Sequence, residues 1–370
     1  MRIAQVELRI VSLPLVRPFR TSSSVRNAIT HVLVKVRTES GREGWGECAA
    51  PVDPYYCAET SGTCWHLLRE FLVPSLLGKE WLTPEEIKPL FGPIKGNKFA
   101  QAGLEMACID AWCRAQDLSV ARWLGGTRKQ IESGVSLGIE TDQDRLLGLI
   151  NQFVAEGYAR VKLKIAPGHD VEVVKTVREA LPNLPLQVDA NSAYSLADIA
   201  LLQELDPFNL LLIEQPLGDD DLIDHAELQK HLRTPVCLDE SLHSLDDVRK
   251  ALQIQACRIV NIKLGRVGGL VEAKRIHDFC QARGVPVWCG GMHEFGIGRA
   301  ANVALSSLPG FTLAGDVSGS SKYFTSDIAT PAIEAELGRI SVTYERPGLG
   351  VEPRLDLIQD HTTAFWASDQ

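Results

Sequence analysis

The chain has 370 residues, 45% of them hydrophobic and 23% charged, and its formal net charge is −9. Such a composition is typical of a globular protein with room for one large domain and a smaller one. The negative charge disfavours nucleic acid and anionic membranes as partners, although a local site could still attract an anionic substrate.

The cysteines and the N-terminal segment bear on the cellular compartment. None of the nine cysteines belongs to a CxxC pair or to a metal-ligand spacing, which is typical of reduced, buried thiols. The segment MRIAQVELRI carries charges every few residues, and no apolar run approaches the roughly 20 residues of a membrane span. We therefore expect a cytoplasmic protein with no membrane partner.

The first 50 residues show the alternation that is typical of β-strands. Apolar and polar residues alternate in three runs, and the turn signal ESGRE lies between the second and third of them. This pattern predicts antiparallel strands joined by a hairpin. Two polar loops are predicted as well, one over 17–27 and one over the proline-containing stretch 49–56.

Helical periodicity replaces the strand pattern after these loops. The predicted helical segments are 59–77, 84–90 and 99–124. The Gly-Gly-Thr at 125–127 is a stop signal. The sequence therefore predicts an α+β domain over 1–125.

From residue 162 to residue 316, runs that resemble strands end in charged residues. The residues at five of these ends are Lys164, Asp189, Glu214, Asp239 and Lys263. They are 25, 25, 25 and 24 residues apart, which leaves room for a strand, a loop and a helix in each interval. Five parallel strands that end on one face are predicted.

Further runs on both sides extend this pattern. SGVSLGI, ending near Ile139, predicts a first strand, and VPVWCGG and FTLAGDVS predict a seventh and an eighth, which end near Cys289 and Asp316. The predicted fold is α/β, a modified TIM-type (β/α)7β barrel over 126–325. A C-terminal tail over 326–370 is expected to pack back on the N-terminal domain.

The three middle strands offer carboxylates at the face where a barrel carries its chemistry. Asp189, Glu214 and Asp239 could each be a helix N-cap, but all three fall at the same phase of successive units. Converging carboxylates repel one another unless a cation lies among them. A hard divalent metal with oxygen ligands is therefore predicted, Mg²⁺ with Mn²⁺ as a possible substitute.

The lysines on the flanking strands are candidate acid/base groups. Lys162 and Lys164 are two residues apart, so their side chains share one face, and a barrel interior accepts lone lysines poorly. The structural alternative is an ion pair with the acids. Crowded ammonium groups beside a metal are expected to lower the pKa of one lysine from about 10.4 towards neutrality. Lys263 would face this pair across the metal.

Three residues next to these groups are candidate supporting residues. Arg266 follows Lys263 by three residues and could lower the pKa of that lysine; an anion clamp and a solvated loop residue are the alternatives. Asn191 could face the site, whereas Glu240 is expected to lie behind the ligands or to cap a helix. The glycine clusters do not form GxGxxG after a first strand, which gives nucleotide binding little support.

Taken together, the motifs VKLK, QVDANSAY, LLIEQPL, CLDES, NIKLGRVGG and GGMHEFGIGRA resemble the muconate-lactonizing subgroup of the enolase superfamily. The resemblance covers nearly the whole chain, including PFRTSSS and GWGECAAPVDPYY in a capping domain. Within the subgroup the chain resembles the branch of o-succinylbenzoate synthases and N-succinylamino acid racemases. Enolase-superfamily sites use a Lys or His base with Mg²⁺ that stabilises an ene-diolate.

This resemblance implies roles for individual residues. Asp189, Glu214 and Asp239 would bind Mg²⁺, and Lys164 and Lys263 would exchange protons with the substrate. Lys162 would tune the site and contact the substrate carboxylate. The substrate-binding residues that the resemblance implies are Phe19, Tyr55, Ser136, Asn191, Gly291, Met292 and Ser318.

The resemblance also implies the reaction class. A lysine would remove the α-proton of a small-molecule carboxylate, and reprotonation from the opposite face would racemise an N-succinylamino acid. The same site would dehydrate a cyclohexadiene precursor to o-succinylbenzoate in menaquinone biosynthesis. A homo-oligomer is expected.

Several alternatives remain open at this point. Muconate cycloisomerases share the same five charged residues. Dipeptide epimerases carry an Asp-x-Asp after the eighth strand, where this chain has Asp316, Val317 and Ser318. His293 and Phe295 stand where the family usually has other aliphatic or polar residues, so the pocket floor is expected to differ. A non-catalytic barrel should have lost at least one of the five charged residues, and none is missing.

Overall fold

The structure is a computed structural model that describes residues 1–20 and 25–368. The four residues 21–24, which belong to the predicted loop over 17–27 and to the motif PFRTSSS, lie outside the described residues. None of the described helices is long and apolar enough to cross a membrane. All nine cysteines are free, and eight of them are buried.

An antiparallel sheet begins the chain, as the alternation predicts. Its first three strands are β1 (Ile3–Arg20), β2 (Val25–Thr38) and β3 (Glu43–Cys48). The prediction of a loop over 17–27 is wrong for its described part, because β1 and β2 pair again beyond an irregularity at Pro14. Phe19 lies opposite Arg26 in this distal part of the hairpin.

Helices cover one side of this sheet. They are α1 (Ser61–Leu67), which a π-helical turn joins to α2 (Val73–Leu76), followed by α3 (Ile87–Leu90), α4 (Lys98–Ala115) and α5 (Val120–Leu124). The helix predicted over 99–124 is interrupted. Asp117 adopts a left-handed conformation with φ of 51°, and the Ser119 side chain caps the next helix by accepting the N–H of Arg122.

A short strand, β4 (Gln130–Glu132), leads into a sheet of seven parallel strands. These are β5 (Gly134–Leu137), β6 (Arg160–Lys164), β7 (Leu186–Asp189), β8 (Ile213–Glu214), β9 (Val236–Leu238), β10 (Ile259–Ile262) and β11 (Val287–Cys289). They lie side by side in chain order. Their register is parallel throughout, which confirms the predicted barrel architecture.

Helices connect the parallel strands. They are α6 (Gln143–Ala155), α7 (Val171–Ala180), α8 (Ile199–Gln203), α9 (Ile223–His231), α10 (Leu245–Gln253), α11 (Leu264–Val267), α12 (Leu270–Gln281) and α13 (Gly296–Ser306). Their apolar sides pack on the strands and leave the strand ends free to carry functional groups.

The predicted eighth strand is shorter than expected. Gly315 forms a parallel bridge to Ser133, beside the first barrel strand, and Phe311 forms one to Val287 on the seventh. The N–H of Asp316 donates to the carbonyl of Cys289 at 2.8 Å. This segment contacts each neighbour over too few residues to form a ladder, yet it joins the two ends of the sheet.

The C-terminal segment contacts both parts of the chain. Its elements are β12 (Ala329–Thr330), β13 (Arg339–Ser341), β14 (Glu352–Pro353), α14 (Leu355–Asp360) and β15 (Thr362–Ala367). β13 pairs with β4, and β15 pairs with β1 at the edge of the N-terminal sheet. The domain boundaries at 125/126 and 325/326 stay predictions.

A buried carboxylate links the N-terminal sheet to the barrel. Oε1 of Glu47, on β3, contacts Nδ1 of His31 at 2.6 Å and accepts the N–H of Phe295 at 2.9 Å. Its Oε2 accepts the N–H of Gly298 at 2.8 Å. Because Phe295 and Gly298 lie at the start of α13, Glu47 caps a barrel helix from another part of the fold.

We expect Glu47→Ala to lower the free energy of unfolding by about 2–4 kcal/mol, because it leaves His31 and two buried N–H groups without their acceptor. Urea denaturation followed by circular dichroism measures the loss. The matched control is Glu43→Ala on the same strand, whose exposed carboxylate pairs with Lys35 at 2.7 Å. This control should cost less than about 1 kcal/mol; equal losses in the two variants would contradict the link.

Candidate active site

The charged residues that the spacing singles out lie at the carboxyl ends of five adjacent strands. Lys164, Asp189 and Glu214 are the last residues of β6, β7 and β8. Asp239 and Lys263 directly follow β9 and β10. Because these strands are neighbours in chain order, the two lysines flank the three carboxylates.

These strand ends open into a cavity of about 470 Å³. The barrel contributes Ser136, Lys162, Lys164, Asp189, Asn191, Glu240, Lys263, Gly291, Met292, His293 and Asp316 to the lining, and the N-terminal domain contributes Phe19, Arg26, Tyr55 and Tyr56. Glu214, Asp239 and Arg266 are at most 1% exposed and lie beneath this surface. The cavity therefore has a barrel side with the charged groups and a wall from the N-terminal domain.

Lys162 is the most heavily paired of the three lysines. Its Nζ lies 2.6 Å from Asp316, 2.8 Å from Glu214 and 3.2 Å from Asp189, and 4.9 Å from the ring centroid of Trp288. Burial alone would lower the pKa of Lys162, but the three carboxylates overcome burial and raise it. Lys162 is thus a fixed ammonium group that holds the carboxylates in place.

Lys164 lies nearer the cavity and is less buried than Lys162. Its Nζ donates to Oδ2 of Asp189 at 2.6 Å and to Oδ1 of Asn191 at 2.5 Å. The Nδ2 of Asn191 in turn donates to Oε1 of Glu240 at 2.8 Å. Asn191 therefore connects the candidate base to a second carboxylate.

Lys263 forms the other side of the site. Its Nζ donates to Oδ2 of Asp239 at 2.6 Å and to the hydroxyl of Tyr56 at 3.2 Å. Burial would lower the pKa of Lys263, and nearby Tyr56 and Glu214 raise it. The lowered lysine pKa expected from the sequence assumed a metal ion beside the lysines, and it stays a prediction. In the present arrangement the neighbouring groups act in the opposite direction and raise the pKa of Lys162 and Lys263.

Arg266 lies behind Asp239. Its Nη1 contacts Oδ1 of Asp239, its Nε donates to the carbonyl of Leu242 at 2.7 Å, and its Nη2 donates to the carbonyl of Asn261 at 2.5 Å. It is 1% exposed. Arg266 is therefore not a solvated loop residue, and its donors are not free to bind an anion as a clamp. It fixes Asp239, the carboxylate that Lys263 also contacts.

The carboxylates also repel one another, although Lys162 contacts Glu214. Burial and the charge of Asp189 raise the pKa of Glu214, and the same two causes raise the pKa of Glu240 to about 7. The Oε2 atom of Glu240 is buried and has no hydrogen-bond partner among the described residues. This local excess of carboxylate oxygen is the donor set that a hard divalent cation such as Mg²⁺ prefers.

The three predicted ligands are held by ammonium groups in this arrangement. No group of three His, Cys, Asp or Glu side chains within 1–20 and 25–368 already encloses a metal position. Lys162 and Lys164 both form ion pairs with Asp189, and Lys263 forms an ion pair with Asp239. The chemistry of the donor set fits Mg²⁺, and binding would require the ammonium groups to move away from these oxygens.

Several residues at the same strand ends adopt left-handed backbone conformations. Asn191, Gln215 and His293 have φ values of 43°, 38° and 61°, and each follows a barrel strand closely. Left-handed conformations of residues other than glycine cost about 1–3 kcal/mol each and are frequent at active sites. Gly290 has a different role there, because a Cβ at this position would lie 2.7 Å from Cγ and Cε of Lys263.

Six of the seven predicted substrate-binding residues line the cavity. They are Phe19, Tyr55, Ser136, Asn191, Gly291 and Met292. Ser318 instead lines a small adjoining cavity of about 30 Å³, and its hydroxyl donates to the carbonyl of Gly134 at 3.2 Å. Phe295 is fully buried and packs on His31 and Phe324, so of the two unusual residues only His293 forms the pocket wall.

The sequence did not identify three residues of the site. Asp316 pairs with Lys162 and with Arg160, the latter at 2.8 Å. Tyr56 donates to Oδ1 of Asp239 at 3.0 Å, and burial raises its pKa to about 12. Arg26 reaches the cavity from the hairpin. Only Asp316 carried a usable signal, since it ends the predicted eighth strand.

Comparisons with known proteins agree with this geometry. Residues 146–357 match the family described as enolase C-terminal domain-like, and residues 5–125 match the N-terminal domain family of mandelate racemase and muconate lactonizing enzyme. The chain belongs to the enolase superfamily.

Individual relatives of this superfamily cover almost the whole chain. An o-succinylbenzoate synthase from Geobacillus kaustophilus is 51% identical over 350 residues, which are 95% of this chain and 93% of the relative. An N-succinylamino acid racemase from Amycolatopsis sp is 48% identical over 365 residues, 98% of each chain. The crystal structure of an enolase-superfamily protein from Listeria innocua matches with a TM-score of 0.96 and 41% identity, covering 99% of each chain.

These findings confirm the predicted family and its fold. Enolase-superfamily enzymes are Mg²⁺-dependent, and the donor set described above has the oxygen chemistry that such an ion requires. The roles of individual residues in this chain remain proposals.

Proposed function

We propose that this chain is a Mg²⁺-dependent enzyme that removes the α-proton of a carboxylate substrate. We further propose that it acts as an o-succinylbenzoate synthase, an N-succinylamino acid racemase, or both. The observation that carries the proposal is the placement of Lys164 and Lys263 on opposite sides of three strand-end carboxylates, at one cavity. The activities in the names of its relatives support the choice of substrates.

Asp189, Glu214 and Asp239 are the residues proposed to hold Mg²⁺. When bound, Mg²⁺ would supply positive charge that stabilises the substrate carboxylate as it becomes an enolate. Lys162 and Arg266 are proposed as positioning residues, because Lys162 donates to Glu214 and Arg266 donates to Asp239.

Lys164 and Lys263 are proposed to move the proton. One lysine in its neutral form takes the α-proton, and the other in its ammonium form gives a proton to the opposite face of the same carbon. This inverts the stereocentre, and the two lysines exchange their protonation states. In the dehydration, one proton is taken from the substrate carbon. The departing hydroxyl group receives one proton and leaves as water, so the enzyme neither gains nor loses a proton overall.

Dipeptide epimerase activity is the less favoured alternative. Such enzymes carry Asp-x-Asp after the eighth strand, and here only Asp316 supplies a carboxylate. Both of its oxygens are engaged, by Lys162 and by Arg160, and the hydroxyl of Ser318 points to the Gly134 carbonyl. No carboxylate of this segment is left to bind a substrate ammonium group. Muconate cycloisomerase shares the charged residues and is the remaining alternative.

The proposal is tested by two assays on the purified protein with Mg²⁺. One follows dehydration of the cyclohexadiene precursor to o-succinylbenzoate, and the other follows loss of optical rotation of an N-succinylamino acid. We expect Mg²⁺-dependent activity in at least one of them, and loss of that activity on chelation with recovery on re-addition of Mg²⁺. If neither assay detects activity although calorimetry demonstrates Mg²⁺ binding, the proposed substrates are wrong.

Two broader expectations belong to the same proposal. Nine free cysteines support a reducing compartment such as the cytoplasm. The homo-oligomer stays a prediction, which light scattering of the purified protein would test.

A further inference from the structure

Among the described residues, the wall that the N-terminal domain contributes to the cavity carries one arginine. Arg26, on β2, lies opposite Phe19 of β1, and directly opposed residues of an antiparallel pair point to the same face of the sheet. Both residues line the cavity. The distal part of the hairpin therefore presents an aromatic ring and a guanidinium group side by side to the substrate space.

Among the described residues, Arg26 has one side-chain partner, Asp53. Its Nη2 contacts Oδ1 of Asp53 at 3.1 Å, and its side chain is only 16% exposed. Its Nε is buried and has no hydrogen-bond partner among the described residues. A guanidinium group offers five N–H donors in a planar fork. Asp53 orients this group, and the described residues take up only one of its donors.

The other cations of the cavity are committed to carboxylates of the barrel. Lys162, Lys164 and Lys263 each lie within 2.6 Å of a carboxylate oxygen. His293, which the barrel contributes to the lining, lies beside Phe19, and the two ring centroids are 4.4 Å apart. Burial and the charges of Arg26 and Lys322 lower the pKa of His293. No carboxylate other than Asp53 contacts Arg26 among the described residues.

We infer that Arg26 binds a second carboxylate of the substrate, at the end remote from the α-carbon. The inference rests on the proposed function, in which the barrel side takes the carboxylate next to the reacting carbon. A fork of guanidinium donors matches the two oxygens of a carboxylate, and such charge-assisted bonds are about twice as strong as neutral ones. The favoured substrate class is thus a dicarboxylate whose second anionic group reaches the hairpin.

The inference is tested with two substrates that differ only in the distal carboxylate. These are the N-succinyl and N-acetyl derivatives of one amino acid, assayed for racemisation with the wild-type protein and with Arg26→Gln. We expect kcat/KM of the variant to fall about 10- to 100-fold on the N-succinyl substrate, mainly through KM, and to change little on the N-acetyl substrate. Arg26→Lys keeps the positive charge but lacks the planar fork of donors. Its kcat/KM on the N-succinyl substrate should lie between those of the wild-type protein and Arg26→Gln.

The matched control is Arg17→Gln. Arg17 is an exposed arginine on the same hairpin, and it does not line this cavity. The Arg17→Gln substitution should leave the ratio of kcat/KM on the N-succinyl substrate to kcat/KM on the N-acetyl substrate unchanged. Melting temperatures of all variants establish that they are folded.

The outcomes separate the subsite from the proposed function. Equal loss on both substrates in Arg26→Gln, or a wild-type protein with no preference for the N-succinyl form, would overturn the subsite while the α-proton chemistry stands. A wild-type protein that racemises neither substrate and makes no o-succinylbenzoate would overturn the proposed function and this inference with it.

Discussion

Lys263→Ala is expected to lower racemisation by about 10²- to 10⁴-fold, the usual contribution of a positioned acid or base. The reason is geometric. Lys263 follows β10 and Lys164 ends β6, with the three carboxylate-bearing strands between them. If each lysine serves one face of the substrate carbon, then the loss of one slows inversion by this factor, while the other lysine can still exchange a proton on its own face.

Proton exchange in D₂O gives a readout that a merely structural role of Lys263 would not move. We expect Lys263→Ala to retain exchange of the α-proton from one enantiomer of an N-succinylamino acid and to lose it from the other. The matched control is Lys274→Ala on α12, which removes a lysine paired with Asp278 at 2.6 Å on the barrel surface. Exchange from both enantiomers in Lys263→Ala, or equal loss from both, would contradict the two-base assignment.

The positions of the reacting groups could be predicted because each strand-helix unit of a barrel has a similar length, which places equivalent residues of successive units at the same end of the sheet. A parallel strand, its helix and the return require about the same length each time. Residues repeating at that interval after apolar runs therefore reach the same end of the sheet. This is why Lys164, Asp189 and Glu214 end successive strands, and why the metal-binding hypothesis needed no long-range information.

The electrostatic state of the lysines could not be predicted in this way. Spacing shows which charges converge, but a pKa depends on which of them touch. Lys162 contacts Asp316 as well as Glu214, and Asp316 lies in a segment that joins the sheet through single bridges. The sequence therefore suggested mutual repulsion of two lysines, whereas the structure surrounds Lys162 with carboxylates.

The contributions of the N-terminal domain were the hardest to predict. Tyr55 and Tyr56 are adjacent in an irregular loop, where no periodicity indicates which one turns inward. The structure leaves Tyr55 64% exposed and directs the Tyr56 hydroxyl to Asp239, 183 residues away. Arg26 lay in a stretch predicted to be a loop, and only its strand pairing with Phe19 gives its side chain a direction.

Asp239→Asn is expected to weaken Mg²⁺ binding and activity together. Asp239 is fully buried and follows the strand between those of Glu214 and Lys263, so it can offer a carboxylate oxygen to a cation in the middle of the site. A neutral amide is a poorer ligand for a hard divalent ion. The substitution also weakens the contacts with Lys263 and Arg266, so the melting temperature of the metal-free protein should fall as well.

The metal-dependent part of this effect can be isolated by referring each variant to its own metal-free state. At a concentration of Mg²⁺ equal to 100 times the wild-type Kd, binding stabilises the wild-type protein by about 2.7 kcal/mol. If the substitution weakens binding 100-fold, then the same concentration stabilises the variant by only about 0.4 kcal/mol. Thermal denaturation with and without Mg²⁺ measures this difference, and titration calorimetry gives the Kd directly.

Asp246→Asn is the matched control for this experiment. Asp246 is an exposed carboxylate on α10 that pairs with Arg249 at 2.8 Å and with Lys250 at 2.6 Å. Its loss changes the net charge by the same amount without touching the strand ends, so the Mg²⁺-induced stabilisation should match that of the wild-type protein. If Asp239→Asn kept that stabilisation in full and remained active, then Asp239 would not be a metal ligand. Its contacts would then serve only to hold Lys263 and Arg266 in place.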